Sequence, residues 1–141
     1  MKFITTIFLV VFLGFFSFIL DMKTAPEDFY SSCDTYFPIL VLLIHHIIFI
    51  FNILGWLSYN KYILYLYVFS ILVHFILWII FKDKCILTIY INEKCKRHTR
   101  LRNFVFLTTE KLKLNLNRTI QKIIYSLTTA YVIYKLTLLK N

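Results

Sequence analysis

The stretch FPILVLLIHHIIFIFNILGWLS, residues 37–58, is followed after a turn of about three residues by YILYLYVFSILVHFILWIIF, residues 62–81. Neither stretch contains an Asp, Glu, Lys or Arg. An α-helix rises about 1.5 Å per residue, so about 20 apolar residues cross a hydrocarbon core of about 30 Å. Because the turn is short, the two stretches are predicted to form an antiparallel hairpin of transmembrane helices.

Two further apolar segments flank this hairpin. Residues 3–20 carry no charge and are just long enough to span a membrane. Residues 119–139 contain Lys122 and Lys135, yet they place apolar and aromatic side chains at helical spacing. This last segment is predicted to be a fourth span, and the alternative is an amphipathic helix lying in the headgroup plane. The predicted fold is therefore an all-α integral membrane protein, with residues 1–141 forming one membrane domain.

Composition agrees with a membrane location. Of the 141 residues, 60% are hydrophobic and 16% are charged, whereas soluble domains are about half apolar and a quarter charged. Abundant Ile, Phe, Tyr, Lys and Asn are typical of an AT-rich genome, which favours a viral, bacterial or protist origin. No pair of small residues suited to signal peptidase follows residues 3–20, so a retained anchor is favoured over a cleaved signal peptide.

The basic residues concentrate in residues 82–118, which hold ten of the sixteen Lys and Arg. Since basic loops stay on the cytoplasmic side, this loop is predicted to be cytosolic. Lys2, before the first span, predicts the opposite orientation, and glycan at the acceptor pattern Asn117-Arg118-Thr119 would support that opposite orientation. The net charge of +9 predicts contact with anionic lipid headgroups rather than with nucleic acid.

Polar side chains of the hairpin form a stripe on each helix. With the turn centred on Asn60, His45 and His74 fall at about the same depth. Asn52 falls level with Val68, which offers no polar group, so the adjacent Tyr67 is its predicted partner. Helical phase agrees, because one face of each helix holds the polar positions. The stripes are predicted to face each other, and the residues that support the two histidines are Asn52, Gly55, Tyr67 and Ser70. Gly55 is expected to permit close approach of the helices.

Two interpretations of the histidine pair remain open. His45 and His74 could hydrogen-bond to their neighbours and stabilise the hairpin, or they could hold haem, as paired histidines on facing helices do. His46 points about 100° away from His45 and is the weaker candidate. Cys33, Cys85 and Cys95 fall on one side of the membrane, and Cys33 could bridge to Cys85 if that side were oxidising.

The order of these residues resembles an uncharacterised family of small polytopic membrane proteins. His45 and Gly55 lie in one helix, His74 lies in the next, and Cys85-Ile86-Leu87-Thr88 leads to Glu93. The family has a Cys-Pro-Leu-Thr-x-x-Glu segment there, so this chain departs from it by having Ile86 for Pro and a longer gap to the Glu. The resemblance implies a membrane protein and draws attention to Cys85, without implying a reaction.

No phosphate-binding loop, nucleophile elbow or metalloprotease pattern occurs, and the two central spans contain no acidic residue. The sequence therefore predicts a non-enzymatic membrane protein that acts by helix packing or partner binding, as a homo-oligomer, a hetero-oligomer or a single chain. The alternative is a small haem-binding or redox protein that uses His45 and His74.

Overall fold

A computed structural model describes residues 1–24, 33, 35–82, 84–95 and 118–139. The helices are α1 Phe3–Thr24, α2 Phe37–Leu54, α3 Lys61–Ile80, α4 Ile86–Lys94 and α5 Arg118–Leu138, with a short 3₁₀ turn at Gly55–Leu57. Within these residues there is no strand, so the prediction of an all-α fold is confirmed.

Three helices are long and apolar enough to cross a membrane: Phe3–Thr24, Phe37–Leu57 and Lys61–Ile80. Many large apolar side chains on their outer faces are exposed, among them Phe8, Phe69 and Ile79. Such a surface suits hydrocarbon rather than water, because a soluble monomer rarely exposes large continuous apolar patches. The chain is a multi-pass, all-α membrane protein.

Local polar contacts close the hairpin between α2 and α3. The Asn60 side chain accepts hydrogen bonds from the backbone N–H groups of Tyr62 at 3.0 Å and Ile63 at 3.3 Å. This is an N-cap, which satisfies donors that the first helical turn leaves without partners. The Ser58 hydroxyl accepts from the Asn60 N–H at 3.1 Å. The sequence around Asn60 therefore ends one span and starts the next.

Helix α1 lies antiparallel against α2 and packs on it more extensively than α3 does. The Met1 amine donates to the Leu57 carbonyl at 3.1 Å, so the N-terminus lies beside the hairpin turn. The helices approach closely at Gly14, where a Cβ atom would lie only 2.9 Å from the Ile47 Cα. The tightest helix pair is thus α1 with α2, whereas the sequence analysis had centred on α2 with α3.

Helix α5 runs antiparallel to α3 and contacts it along its length. Its Tyr125 ring stacks on Trp78, and its Thr128 hydroxyl lies 2.6 Å from the Tyr67 hydroxyl. Near the other end, Lys135 donates to the Ser58 carbonyl at 2.6 Å. α5 packs against α3, but it is not among the three helices that are long and apolar enough to cross a membrane, so a fourth span stays a prediction.

Helix α4 lies at the end of the bundle opposite the hairpin turn, within residues 82–118, which the sequence analysis had treated as a loop. Its Ile91 is fully buried in a cluster with Val41 and Leu42 of α2. A disulfide joins Cys95, directly after α4, to Cys33, four residues before the start of α2. Cys33 therefore pairs with Cys95 and not with Cys85, the partner considered for an oxidising side, and Cys85 is a free thiol.

Candidate functional site

A groove of about 340 Å³ lies between α2, α3 and the start of α4. Most of its lining is apolar, and its polar side chains include Ser70, His74 and Cys85. The groove opens outward along α3, where Phe69 is 64% exposed and Val73 is 37% exposed. Small-molecule pockets usually measure about 300–1,000 Å³ and combine apolar walls with a few polar groups. The groove has the size and character of a ligand site.

At one end of this groove, Cys85 meets His45. The Cys85 Sγ lies 3.6 Å from the His45 Nδ1, although the two residues belong to different elements. Burial raises the pKa of the Cys85 thiol, but the hydrogen bond and charge of His45, together with hydrogen bonds to Thr88, lower that pKa from 9.0 to about 6. Cys85 is therefore a thiolate at neutral pH, which is the nucleophilic form of cysteine.

A second polar cluster joins α2 to α3 beside the groove. The Ser70 hydroxyl donates to the Asn52 Oδ1 at 2.8 Å, and the Asn52 Nδ2 lies 3.2 Å from the His74 Nδ1. The Nδ2 of the Asn52 amide is a donor and cannot accept, so the His74 Nδ1 accepts this hydrogen bond. Asn52 is 1% exposed. These bonds pair the polar groups that an apolar bundle would otherwise leave unsatisfied.

The partners of Asn52 and Tyr67 differ from the predicted pairing. Asn52 meets Ser70 and His74, while Tyr67 turns toward Thr128 of α5. The depth estimate had assumed a uniform helical rise on both sides of the turn. The three-residue 3₁₀ turn Gly55–Leu57 rises about 2.0 Å per residue instead of about 1.5 Å, which shifts the level of α2 against α3 by only about one residue. Side chains also lean toward the N-terminus of their own helix, so in an antiparallel pair Asn52 and a later α3 residue such as His74 lean toward each other.

The two histidines that were predicted to pair have different polar partners. His45 lies against Cys85, whereas His74 lies against Asn52. The His74 ring also meets the Trp78 ring edge to face, with the ring centroids 5.1 Å apart. The structure thus gives each histidine its own polar cluster. Haem held between them stays a prediction.

Two aromatic rings lie close to the Gly55 backbone. A Cβ atom at this position would lie 2.9 Å from the Tyr67 ring and 3.1 Å from the Phe51 ring. Both rings contact each other edge to face, with their centroids 6.2 Å apart. A side chain at Gly55 would therefore displace one of these rings.

A third cluster, buried between α1 and α2, was missed by the sequence analysis. The Ser17 Oγ lies 3.0 Å from the His46 Nδ1, and the Asp21 Oδ2 lies 3.3 Å from the His46 Nε2. All three side chains are fully buried. The available signal was on α1, because small or polar residues recur on one helical face, at Thr6, Gly14, Ser17 and Asp21.

The two adjacent histidines place polar groups on both faces of α2. Their rings meet edge to face with centroids 5.6 Å apart. His46 directs its ring toward α1, and His45 directs its ring toward Cys85 at the groove. The arrangement around Cys85 can supply a nucleophile and a proton donor, whereas the described residues contain no group of three or more His, Cys, Asp or Glu placed to hold a metal ion.

The fold and this site define a class: an all-α, multi-pass membrane protein with an apolar groove and a cysteine–histidine pair at its end. Comparisons with protein-family models, with curated proteins and with solved structures found no match for this chain. The resemblance through His45, Gly55, His74 and Cys85 therefore stays a prediction.

Proposed function

We propose that this protein is a non-enzymatic membrane protein that binds an apolar partner, the hydrocarbon chain of a lipid, in the groove between α2, α3 and α4. The observation that carries this proposal is the groove itself, with its volume of about 340 Å³ and its opening along α3. Its walls offer apolar contacts through side chains such as Leu66, Phe69 and Leu77.

Size and location both favour a hydrocarbon chain over a partner helix. A helix with its side chains is about 10–12 Å across, and a groove of small-ligand volume does not enclose one. The groove faces the same surface as the exposed side chains of α3, which contact the bilayer in a spanning helix. A lipid chain can therefore enter sideways, without leaving hydrocarbon.

Labelling with a photoactivatable fatty-acyl phospholipid tests this function. Val73→Trp would fill the groove, so we expect the label on α3 to fall several-fold relative to the wild type. The matched control is Ile79→Trp, because Ile79 lies on the same helix, is 80% exposed and does not line the groove. Equal labelling of the two variants would show that the lipid contacts α3 without occupying the groove.

The orientation that we propose places the disulfide side outside the cytosol. Disulfides persist in oxidising compartments and are rare in the cytosol, so Cys33–Cys95 favours an exterior location for that end of the bundle. Lys2 and the acceptor pattern at Asn117 agree with it. The ten basic residues of 82–118 favour the reverse, cytosolic orientation, and we give the covalent bond more weight than the charge distribution.

Anionic lipid headgroups are the partner that we propose for Lys82, Lys84 and Lys94 if the chain has the reverse orientation, because the leaflet rich in anionic lipid faces the cytosol. Basic residues near a membrane surface gain about 1 kcal/mol each from an anionic leaflet. Binding to vesicles that contain anionic lipid should therefore weaken as salt is added, because salt screens such attraction.

A further inference from the structure

We infer that Cys85 accepts a fatty-acyl group and holds it as a thioester whose hydrocarbon chain lies in the groove. The inference rests on the proposed function, because the groove must first hold the chain. It adds a covalent step and names the residue that carries it. Two kinds of donor carry a suitable activated acyl group: a membrane phospholipid holds it as an ester, and fatty-acyl coenzyme A holds it as a thioester.

The position of Cys85 suits this role. It lines the groove together with Ile86 and Leu87, and it directly precedes the first turn of α4. The positive end of a helix dipole lies there, and it stabilises negative charge on a thiolate or on an acyl oxygen. An acyl carbonyl placed beside the Cys85 sulfur would leave its chain among the apolar side chains of α3.

Cys85 is also the cysteine that remains available. The chain has three cysteines, all of them described, and two form the disulfide. An unpaired cysteine beside a disulfide in an oxidising compartment indicates either intermolecular pairing or a reactive thiol. The His45 contact at 3.6 Å favours the reactive thiol, because a neighbouring imidazolium stabilises the thiolate.

The transfer step balances without an oxidant or reductant. The Cys85 thiolate adds to the acyl carbonyl carbon, and a new carbon–sulfur bond forms. The bond to the leaving group then breaks, releasing a lysolipid alkoxide from an ester or a thiolate from acyl coenzyme A. The proton that the Cys85 thiol gives to His45 when it ionises passes from His45 to that leaving group, so no proton is gained or lost overall.

The test uses the full-length protein in vesicles with two arms, one with acyl-labelled phospholipid and one with acyl-labelled coenzyme A added outside. We expect a mass increase of one acyl group, reversed by neutral hydroxylamine, in at least one arm, and the responding arm identifies the donor. Cys85→Ala should abolish the adduct. His45→Phe should slow its formation about 10- to 100-fold at pH 7, since the pKa of Cys85 would return toward 9.0.

Three variants separate this inference from the proposed function. Val73→Trp should block acylation while Cys85 still reacts with a small alkylating reagent, and Ile79→Trp should be acylated like the wild type. Cys85→Ala should still take up the photoactivatable lipid in the groove. Absence of adduct in both arms would overturn the inference and leave lipid binding intact, and acylation of Val73→Trp at the wild-type rate would overturn it too.

Discussion

At the scale of single residues, adjacent histidines in one helix have separate roles. His46 is fully buried with Ser17 and Asp21 of α1, and His45 lies against Cys85. Adjacent residues of a helix point about 100° apart, so the sequence predicts that the two rings diverge. The buried partners of His46 lie on α1, and the pattern of α2 alone does not predict them. The pattern of α2 against α3 alone favours His45 over His46, because the partners of His46 lie on α1.

Double substitution of Asp21 and His46 tests the buried cluster. Removing one partner of a buried pair costs about 3–5 kcal/mol, because the other partner keeps its desolvation cost. Asp21→Leu and His46→Leu should each lower the free energy of unfolding in detergent. The double variant should lose about 1–3 kcal/mol less than the two single losses added together. Additive losses would contradict the contact.

The control for this cycle is Thr24→Leu. Thr24 lies three residues beyond Asp21 on α1, and it is exposed, with its hydroxyl bonded to backbone carbonyls of its own helix. Its replacement should change the free energy of unfolding by less than about 0.5 kcal/mol, as for most surface positions.

At the scale of helices, hydropathy predicted the three spans to within a few residues, because a bilayer fixes how long an apolar helix must be. Hydropathy did not predict two features of the structure. Helix α4 is short and contains Glu93 and Lys94, so its apolar residues give no strong periodic signal. Hydropathy also did not predict that α2 packs more closely against α1 than against α3, because the close approach of α1 depends on the absence of a side chain at Gly14.

Gly14→Ala tests the α1–α2 contact. Alanine is intrinsically the better helix former by about 1 kcal/mol, so an isolated α1 would gain stability. In the folded protein the new Cβ would lie 2.9 Å from the Ile47 Cα, a backbone atom that cannot turn away. We expect a net loss of about 1–3 kcal/mol, as for overpacked cores, in detergent unfolding. Unchanged or increased stability would show that α1 and α2 lie further apart.

At the scale of the whole molecule, the bundle has two chemically different ends. The hairpin-turn end holds the Met1 amine and the Lys135 amine, each bonded to a backbone carbonyl of residues 57–58. The other end holds the disulfide, α4 and the free Cys85. Sequence alone gave conflicting orientations for these ends, because Lys2 and residues 82–118 follow the same charge rule with opposite results.

Thiol labelling in intact cells tests the orientation. After reduction with an impermeant reductant, Cys33 should react with a membrane-impermeant maleimide, because it is partly exposed and we place the disulfide end outside the cytosol. For the turn end, Lys61→Cys in a chain lacking the three native cysteines should react only after permeabilisation. The reverse pattern would place the basic residues 82–118 in the cytosol.

The central claim is that His45 and Cys85 meet at the groove and that His45 holds the thiol ionised. The most direct measurement is the pH dependence of Cys85 alkylation by a small reagent, in the wild type, in His45→Phe and in the control His74→Phe, which lines the same groove. We predict a midpoint at about pH 6 for the wild type and the control, and a midpoint shifted toward 9.0 for His45→Phe. A wild-type midpoint near 9.0, unaffected by His45→Phe, would contradict the account.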